Sequence, residues 1–168
     1  MSEFTVNPGR LDPYKRTKFL VRWDGELIPG VFRISGLIWN TQVVTYREGG
    51  SLNAFIVAPG HTTFEPIVLT RGRTHATAFE DWASLVWRHG PAAGAEVGLN
   101  EMRKDIQIAL LNEAGQVVMG FIAYRCWPSR YEALGPLDAI ETALAVESLT
   151  LHYEGFVRDT SIVEPKQP

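Results

Sequence analysis

From Lys18 the apolar side chains alternate, with Phe19, Val21 and Trp23 on one parity, up to Asp24-Gly25, a pair suited to a tight turn with positive φ. The pattern predicts a strand and a hairpin whose return begins at Glu26, is interrupted at Pro29-Gly30 and resumes over Val31 to Ser35. Gly36 permits a bulge or close backbone approach before a long strand, Ile38 to Tyr46, rich in β-branched and aromatic residues. Arg47-Glu48-Gly49-Gly50 breaks the pattern, and an apolar segment, Leu52 to Ala58, runs up to Pro59-Gly60. Residues 47–65 therefore read as a long extended loop. Loops of that length without structure are uncommon in compact domains. Leu52, Phe55, Ile56 and Val57 favour burial against something, and another copy of the chain is the natural candidate.

Further on, Pro66 to Arg71 reads as a short strand and Arg71-Gly72-Arg73-Thr74-His75 as a polar turn. Thr77-Ala78-Phe79-Glu80 has the form of a capping box, and Phe79, Trp82, Ala83 and Val86 then give one buried helical stripe, with Gly90 as the stop. Pro91 to Asn100 reads as a loop. Ile106, Ile108 and Leu110 alternate in a strand, Glu113-Ala114-Gly115-Gln116 turns the chain, and Val117 to Tyr124 returns, with extended structure to Pro128 at an edge or bend. A last long strand, Glu141 to Phe156, changes phase between Val146 and Leu149, which predicts a bulge near Glu147-Ser148. The fold class is mainly β, an antiparallel β-barrel or sandwich with one packed α-helix and a long extended loop. Residues 1–168 form a single domain, with an N-terminal arm over 1–16 and a polar C-terminal tail over 157–168.

Composition narrows the function. A net charge of -3 argues against tight phosphate binding. The single cysteine, Cys126, excludes an internal disulfide and reads as a small buried apolar residue. Met1 to Asp12 has no apolar leader-like core and no window suits a membrane helix, so synthesis in the cytoplasm and no membrane anchoring are expected. His61, His75, His89 and His152 lack metal-ligand spacing, and no phosphate-binding glycine motif occurs, so no metal, cofactor or nucleotide is expected. Ser84, His89 and Asp105 can be assembled into a triad only on paper, because no Gly-x-Ser-x-Gly elbow supports them, and no catalytic residue is assigned. Arg71, Arg73 and His75 form a small basic cluster, read as a solvated or interfacial turn. Trp23 and Trp82 read as core.

Several ordered blocks carry a resemblance. They include Asp12-Pro13-Tyr14, Ser35-Gly36-Leu37, Tyr46-Arg47-Glu48-Gly49-Gly50, Pro59-Gly60, Leu69-Thr70-Arg71-Gly72, Asp81-Trp82, Arg103-Lys104-Asp105-Ile106, Leu111-Asn112-Glu113-Ala114-Gly115, Trp127-Pro128-Ser129-Arg130-Tyr131-Glu132, Gly135-Pro136-Leu137-Asp138-Ala139 and Val146-Glu147-Ser148-Leu149. In that order the chain resembles the T4-type phage tail tube family and the inner-tube proteins of related contractile injection systems. The resemblance implies six-membered rings, stacked into a hollow tube inside a sheath, through which DNA or effector proteins pass without specific binding. Implied partners are further copies of the chain, the tail sheath, and baseplate, spike and terminator proteins. The implied location is a virion tail or an injection particle. The loop after the long strand then reaches a neighbouring ring through Arg47, Glu48, Gly49, Gly50, Leu52, Phe55, Ile56 and Val57, with the first four as its hinge. Asn40, Gln42, Ser148 and Thr150 are the residues expected to face the lumen. Relatives often carry acidic residues on the first long strand, whereas this chain has Ile38, Asn40, Gln42 and Val44. Rival readings are a tube-initiator or baseplate-adapter ring, a monomeric ligand-binding β-barrel and a hydrolase on a β-sandwich.

Overall fold

The computed structural model describes residues 18–47, 55–88, 99–137 and 144–163. The expected arm over 1–16 lies outside them. In chain order the elements are β1 (Phe19–Trp23), β2 (Glu26–Leu27), β3 (Val31–Ile34), β4 (Trp39–Tyr46), β5 (Ile56–Phe64), β6 (Ile67–Gly72), α1 (Ala78–Arg88), α2 (Leu99–Met102), β7 (Lys104–Leu111), β8 (Val117–Glu132), β9 (Val146–His152) and β10 (Gly155–Arg158). All the strand pairings are antiparallel.

The first hairpin turns at Asp24 and Gly25, both with positive φ (52° and 77°), as a two-residue turn matched to the strand twist requires. The central element is β8. Its first half pairs with β7 and β10, its second half with β9, and the sheet order is β2-β1-β7-β8-β9-β6-β3. Between the halves Arg125 adopts φ 53° and donates its backbone N–H to Asp105 (2.8 Å), which marks a bulge where the strand turns from one layer into the next. The sheet folds over on itself, and the barrel stays unclosed, so the sandwich half of the expectation describes it.

Helix α1 fills the fold. Phe79 and Trp82 are buried, Trp23 packs against both rings at 5.9 and 5.0 Å, and the Trp82 indole donates to the Met102 carbonyl (2.8 Å). Its first turn is capped differently from the expected box, because the Thr77 hydroxyl donates to Asp81 (2.7 Å), one residue beyond Glu80. The segment read as a loop over Pro91 to Asn100 ends in the short helix α2.

Three corrections concern the strands. The loop 47–65 is in part a strand, since β5 pairs with β4 from Tyr46↔Ile56 to Trp39↔Phe64. The bulge placed at Glu147-Ser148 is absent, because β9 runs in unbroken register with β6 and the chain bends after it, at Glu154. Glu147 therefore points inward. The tail over 157–168 also begins later, since Val157 and Arg158 belong to β10, and Asp159 donates its N–H back to Gly120 (2.8 Å).

Cys126 is fully buried, and that burial pushes its thiol up from 9.0 to about 12. Native protein is expected to leave Cys126 unreacted with a thiol reagent at pH 8, and guanidinium to expose it. The folded state holds this proton more tightly than the unfolded chain does. Its contribution to stability is thus complete below pH 9.0 and is lost as pH rises toward about 12. Denaturant titrations of the wild type and of Cys126→Ala across that window should differ in slope; equal slopes would refute the assignment.

Candidate functional site

The β4–β5 ribbon forms a sheet of its own and is the most unusual surface of the molecule. It prolongs the β3–β6 ladder, to which it is joined by Ser35 N–H donating to Val68 O (3.0 Å) and Glu65 N–H donating to Ile38 O (3.0 Å). The departure from the body lies at Gly36-Leu37 and Glu65-Pro66, while Glu48, Gly49 and Gly50 of the expected hinge lie outside the described residues.

An aromatic cluster fixes the base. Trp39 stacks on Phe156 (5.1 Å, 24°), Phe64 meets Tyr153 and Phe156 at 5.5 and 6.3 Å, and the Tyr153 hydroxyl donates to the Ile38 carbonyl (3.3 Å). Burial raises the Tyr153 phenol, so it stays a donor. Because Trp39 stacks on Phe156 and its partner Phe64 packs against the core, strand alternation sends Asn40 and Thr63 to the opposite side. There the Asn40 amide donates to Glu65 (2.7 Å).

Beyond the base no described residue packs over the ribbon. On the face of Trp39 stand Val43, Thr45, Val57 and Phe55; on the other stand Gln42, Val44, Ala58, Tyr46 and Ile56. Val43, Val57 and Phe55 are 66%, 64% and 72% exposed. A two-stranded ribbon with apolar side chains on both faces is not stable by itself in water, and such a surface marks an interaction site. Of the expected loop residues, Phe55, Ile56 and Val57 belong to this surface and Arg47 follows the last pair of the ladder, while Glu48, Gly49, Gly50 and Leu52 lie outside the described residues. Sequence reasoning missed Val43 and Tyr46 as members. Their signal was available, since apolar residues at both parities of Ile38 to Tyr46 fit no half-buried strand.

Gly60 shapes the ribbon. Between Thr41↔Thr62 and Val43↔Pro59 strand β5 holds one extra residue, and a Cβ on Gly60 would sit 2.9 Å from Val44 Cγ2 and 3.2 Å from the Gln42 carbonyl oxygen. The backbone atom cannot withdraw cheaply. Gly60→Val is expected to loosen the ribbon by about 1–3 kcal/mol, seen as faster amide exchange at Val43 to Thr45 with an unchanged main unfolding transition. Unchanged exchange would show that the bulge tolerates a side chain.

Ser148 and Thr150 alternate with buried Glu147, Leu149 and Leu151, so they lie on the side of their sheet away from the core, beside Thr70 and Val68 of β6 and Glu132 and Arg130 of β8. Asn40 and Gln42 likewise point away from the aromatic cluster of the base. This side is rich in hydroxyl and amide groups.

The basic turn is not solvated throughout. Arg71 is fully buried; its Nε donates to Glu147 (2.5 Å), its Nη2 to the Ala76 carbonyl (2.6 Å), and its guanidinium lies 4.2 Å from the Phe79 ring centroid. The second Glu147 oxygen accepts from Arg73 (2.7 Å) and Tyr131 (3.1 Å). Burial first, and then the nearby Glu147 carboxylate, raise the Tyr131 phenol, while the bonds to Tyr131 and Glu147 raise Arg73. Among the described residues no group of three or more His, Cys, Asp or Glu side chains is arranged for a metal, and no helix is long and apolar enough to cross a membrane.

A family model described as T4-like virus tail tube protein gp19 matches residues 15–157. Among solved structures, a chain of the extended sheath–tube complex of the PVC extracellular contractile injection system is 25% identical, over 88% of this chain and 91% of that one, with TM-score 0.70. A chain of the anti-feeding prophage tube-terminating cap is 24% identical over 95% and 99%, with TM-score 0.73. One from the anti-feeding prophage baseplate is 24% identical over 89% and 97%, with TM-score 0.71. These last two share the fold. No curated protein matches.

Proposed function

The chain belongs to the T4-like virus tail tube protein family, and from that premise we propose that it assembles as stacked hexameric rings into the hollow inner tube of a contractile tail or injection particle. It is a structural tube-type protein and not an enzyme. The observation that carries the finer reading is the exposed apolar β4–β5 ribbon, which a monomer has every reason to cover and a polymer has reason to keep.

In this reading residues 1–168 act as one tail-tube domain. Edge strands of neighbouring subunits join around the ring. The segment Arg47, Glu48, Gly49, Gly50, Leu52, Phe55, Ile56 and Val57, together with Val43 and Tyr46, docks on an adjacent ring. Asn40, Gln42, Ser148 and Thr150 line the lumen, through which DNA or protein cargo passes without specific binding. The sheath lies outside the tube, with baseplate, spike and terminator proteins at its ends, and no membrane anchor takes part. Electron microscopy of the purified protein over a concentration series tests this. Rings that lengthen into tubes are expected; a discrete monomer at every concentration would overturn the proposal.

A further inference from the structure

A tube made of one kind of subunit needs two surfaces per junction, a head and a tail, and both must be on the same chain. The head is the ribbon. Strand directions place it at one end of the sheet β3-β6-β9, because β6 begins next to it at Ile67 and pairs there with Leu151, while its other end, Gly72, pairs with Val146. At that far end β8 finishes at Glu132, opposite Ser148, and the chain passes through Leu134 and Leu137 before returning through Leu144 into β9. The return is held to the sheet, since Gly135 N–H donates to Val146 O (3.0 Å) and Arg73 N–H to Ala145 O (2.8 Å).

The three leucines at this end are 50%, 70% and 82% exposed. Leu134 and Leu144 adjoin backbone tied to the sheet, Leu134 through Gly135 and Leu144 through Ala145. Outside the ribbon and Ile38 at its base, the other exposed large apolar residues among those described are Leu27, Phe32, Trp87, Tyr124, Val157 and Val163, and of these Phe32, in β3 beside Arg71, lies at the same end as the leucines. From Trp39, which packs on the body, to Tyr46 is seven steps of about 3.3 Å, so the ribbon reaches roughly 23 Å from its base, far enough to lie along the next subunit.

We infer that the leucine rim formed by Leu134, Leu137 and Leu144 is the receiving surface for the β4–β5 ribbon of a second copy in the adjacent ring. The inference rests on the tube reading above. It makes the junction heterologous: apolar head meets apolar tail, the contact does not close on itself, and each added ring presents a fresh copy of both surfaces.

Two variants separate the surfaces. One, Val43→Asp with Val57→Asp, disables the head and keeps the rim; the other, Leu137→Asp with Leu144→Asp, disables the rim and keeps the head. All four positions are more than 60% exposed, so both variants should fold, checked by circular dichroism. Each alone is expected to stop at single rings, with sedimentable tube reduced at least ten-fold. Mixed in equal amounts, they should form a two-ring species, because one functional head then meets one functional tail and growth ends there. Mass measurement of the mixture reads this directly. Tubes formed by the rim variant alone, or a mixture that stays at single rings, would overturn the inference. Failure of the unsubstituted chain to form rings at all would instead refute the tube reading.

Discussion

Charging the ribbon at Val43 and Val57 is expected to leave the subunit as stable as the wild type while abolishing tube growth. Both side chains lie on the face of Trp39, near one diagonal of the ladder, and both are about two-thirds exposed in the subunit (66% and 64%). Removing them from a surface that water already reaches costs the folded monomer little, within about 0.5 kcal/mol for each position. Burying a valine at an interface contributes about 1.5 kcal/mol or more, and burying an unpaired carboxylate in its place adds a further penalty of several kcal/mol. Even the smaller part of that sum, about 3 kcal/mol for the pair, raises the concentration needed for growth by more than 100-fold. A sedimentation series against the wild type reads the shift. If the variant grows tubes at the wild-type concentration, the ribbon is not part of the junction. If it loses its cooperative unfolding transition, the ribbon belongs to the core and the packing described for it is wrong.

The same ribbon shows what a sequence reading can and cannot see. Local chemistry was legible: Asp24-Gly25 makes the turn it should, Trp82 and Phe79 are buried on one helical stripe, and Cys126 lies in the core. The apolar character of Phe55, Ile56 and Val57 was legible as well. Their secondary structure was not, because Pro59 and Gly60 inside the segment are strand breakers by every local rule. In a ribbon of two strands those rules relax. Both strands are edge strands, so a missing proline N–H need not break a ladder bond, and the bulge requires a residue without Cβ at position 60. That Val43 shares a face with Val57 likewise follows only from the strand pairing.

Glu147 departs furthest from what its local sequence suggests. The change of phase between Val146 and Leu149 invites a bulge at Glu147-Ser148, but the register with β6 is continuous, and Arg71↔Glu147 is one of its pairs. The charge is buried because its partner is buried beside it. The signal was present in Arg71, which is at the inward parity of Ile67 and Leu69 and cannot be solvated if those residues are core. Two opposite charges at matched inward positions of paired strands point to an internal ion pair.

That pair yields the largest stability change expected for a single substitution. Glu147→Ala leaves the Arg71 guanidinium fully buried without its carboxylate and removes the acceptor shared by Arg73 and Tyr131. Breaking one side of such a pair costs about 3–5 kcal/mol, a large share of the roughly 5–15 kcal/mol that holds a domain folded. In a chain of 168 residues this lowers the melting temperature by about 6–20 °C. Replacing both members, Arg71→Met with Glu147→Met, removes both charges, keeps an unbranched stem over Phe79, and leaves Arg73, whose side chain is 35% exposed, within reach of water and of Glu80 at 3.9 Å. The double variant should therefore recover most of the loss, although the Ala76 carbonyl gives up its donor. Calorimetry of the single and double variants decides the matter. A single substitution costing under about 1 kcal/mol would mean that water reaches the pair, since only desolvation makes an orphaned charge expensive. A double variant no better than the single would place the value of these residues in pinning β6 against β9, because a slip of one residue would turn Glu147 to the outer face and leave Arg71 without a counter-ion.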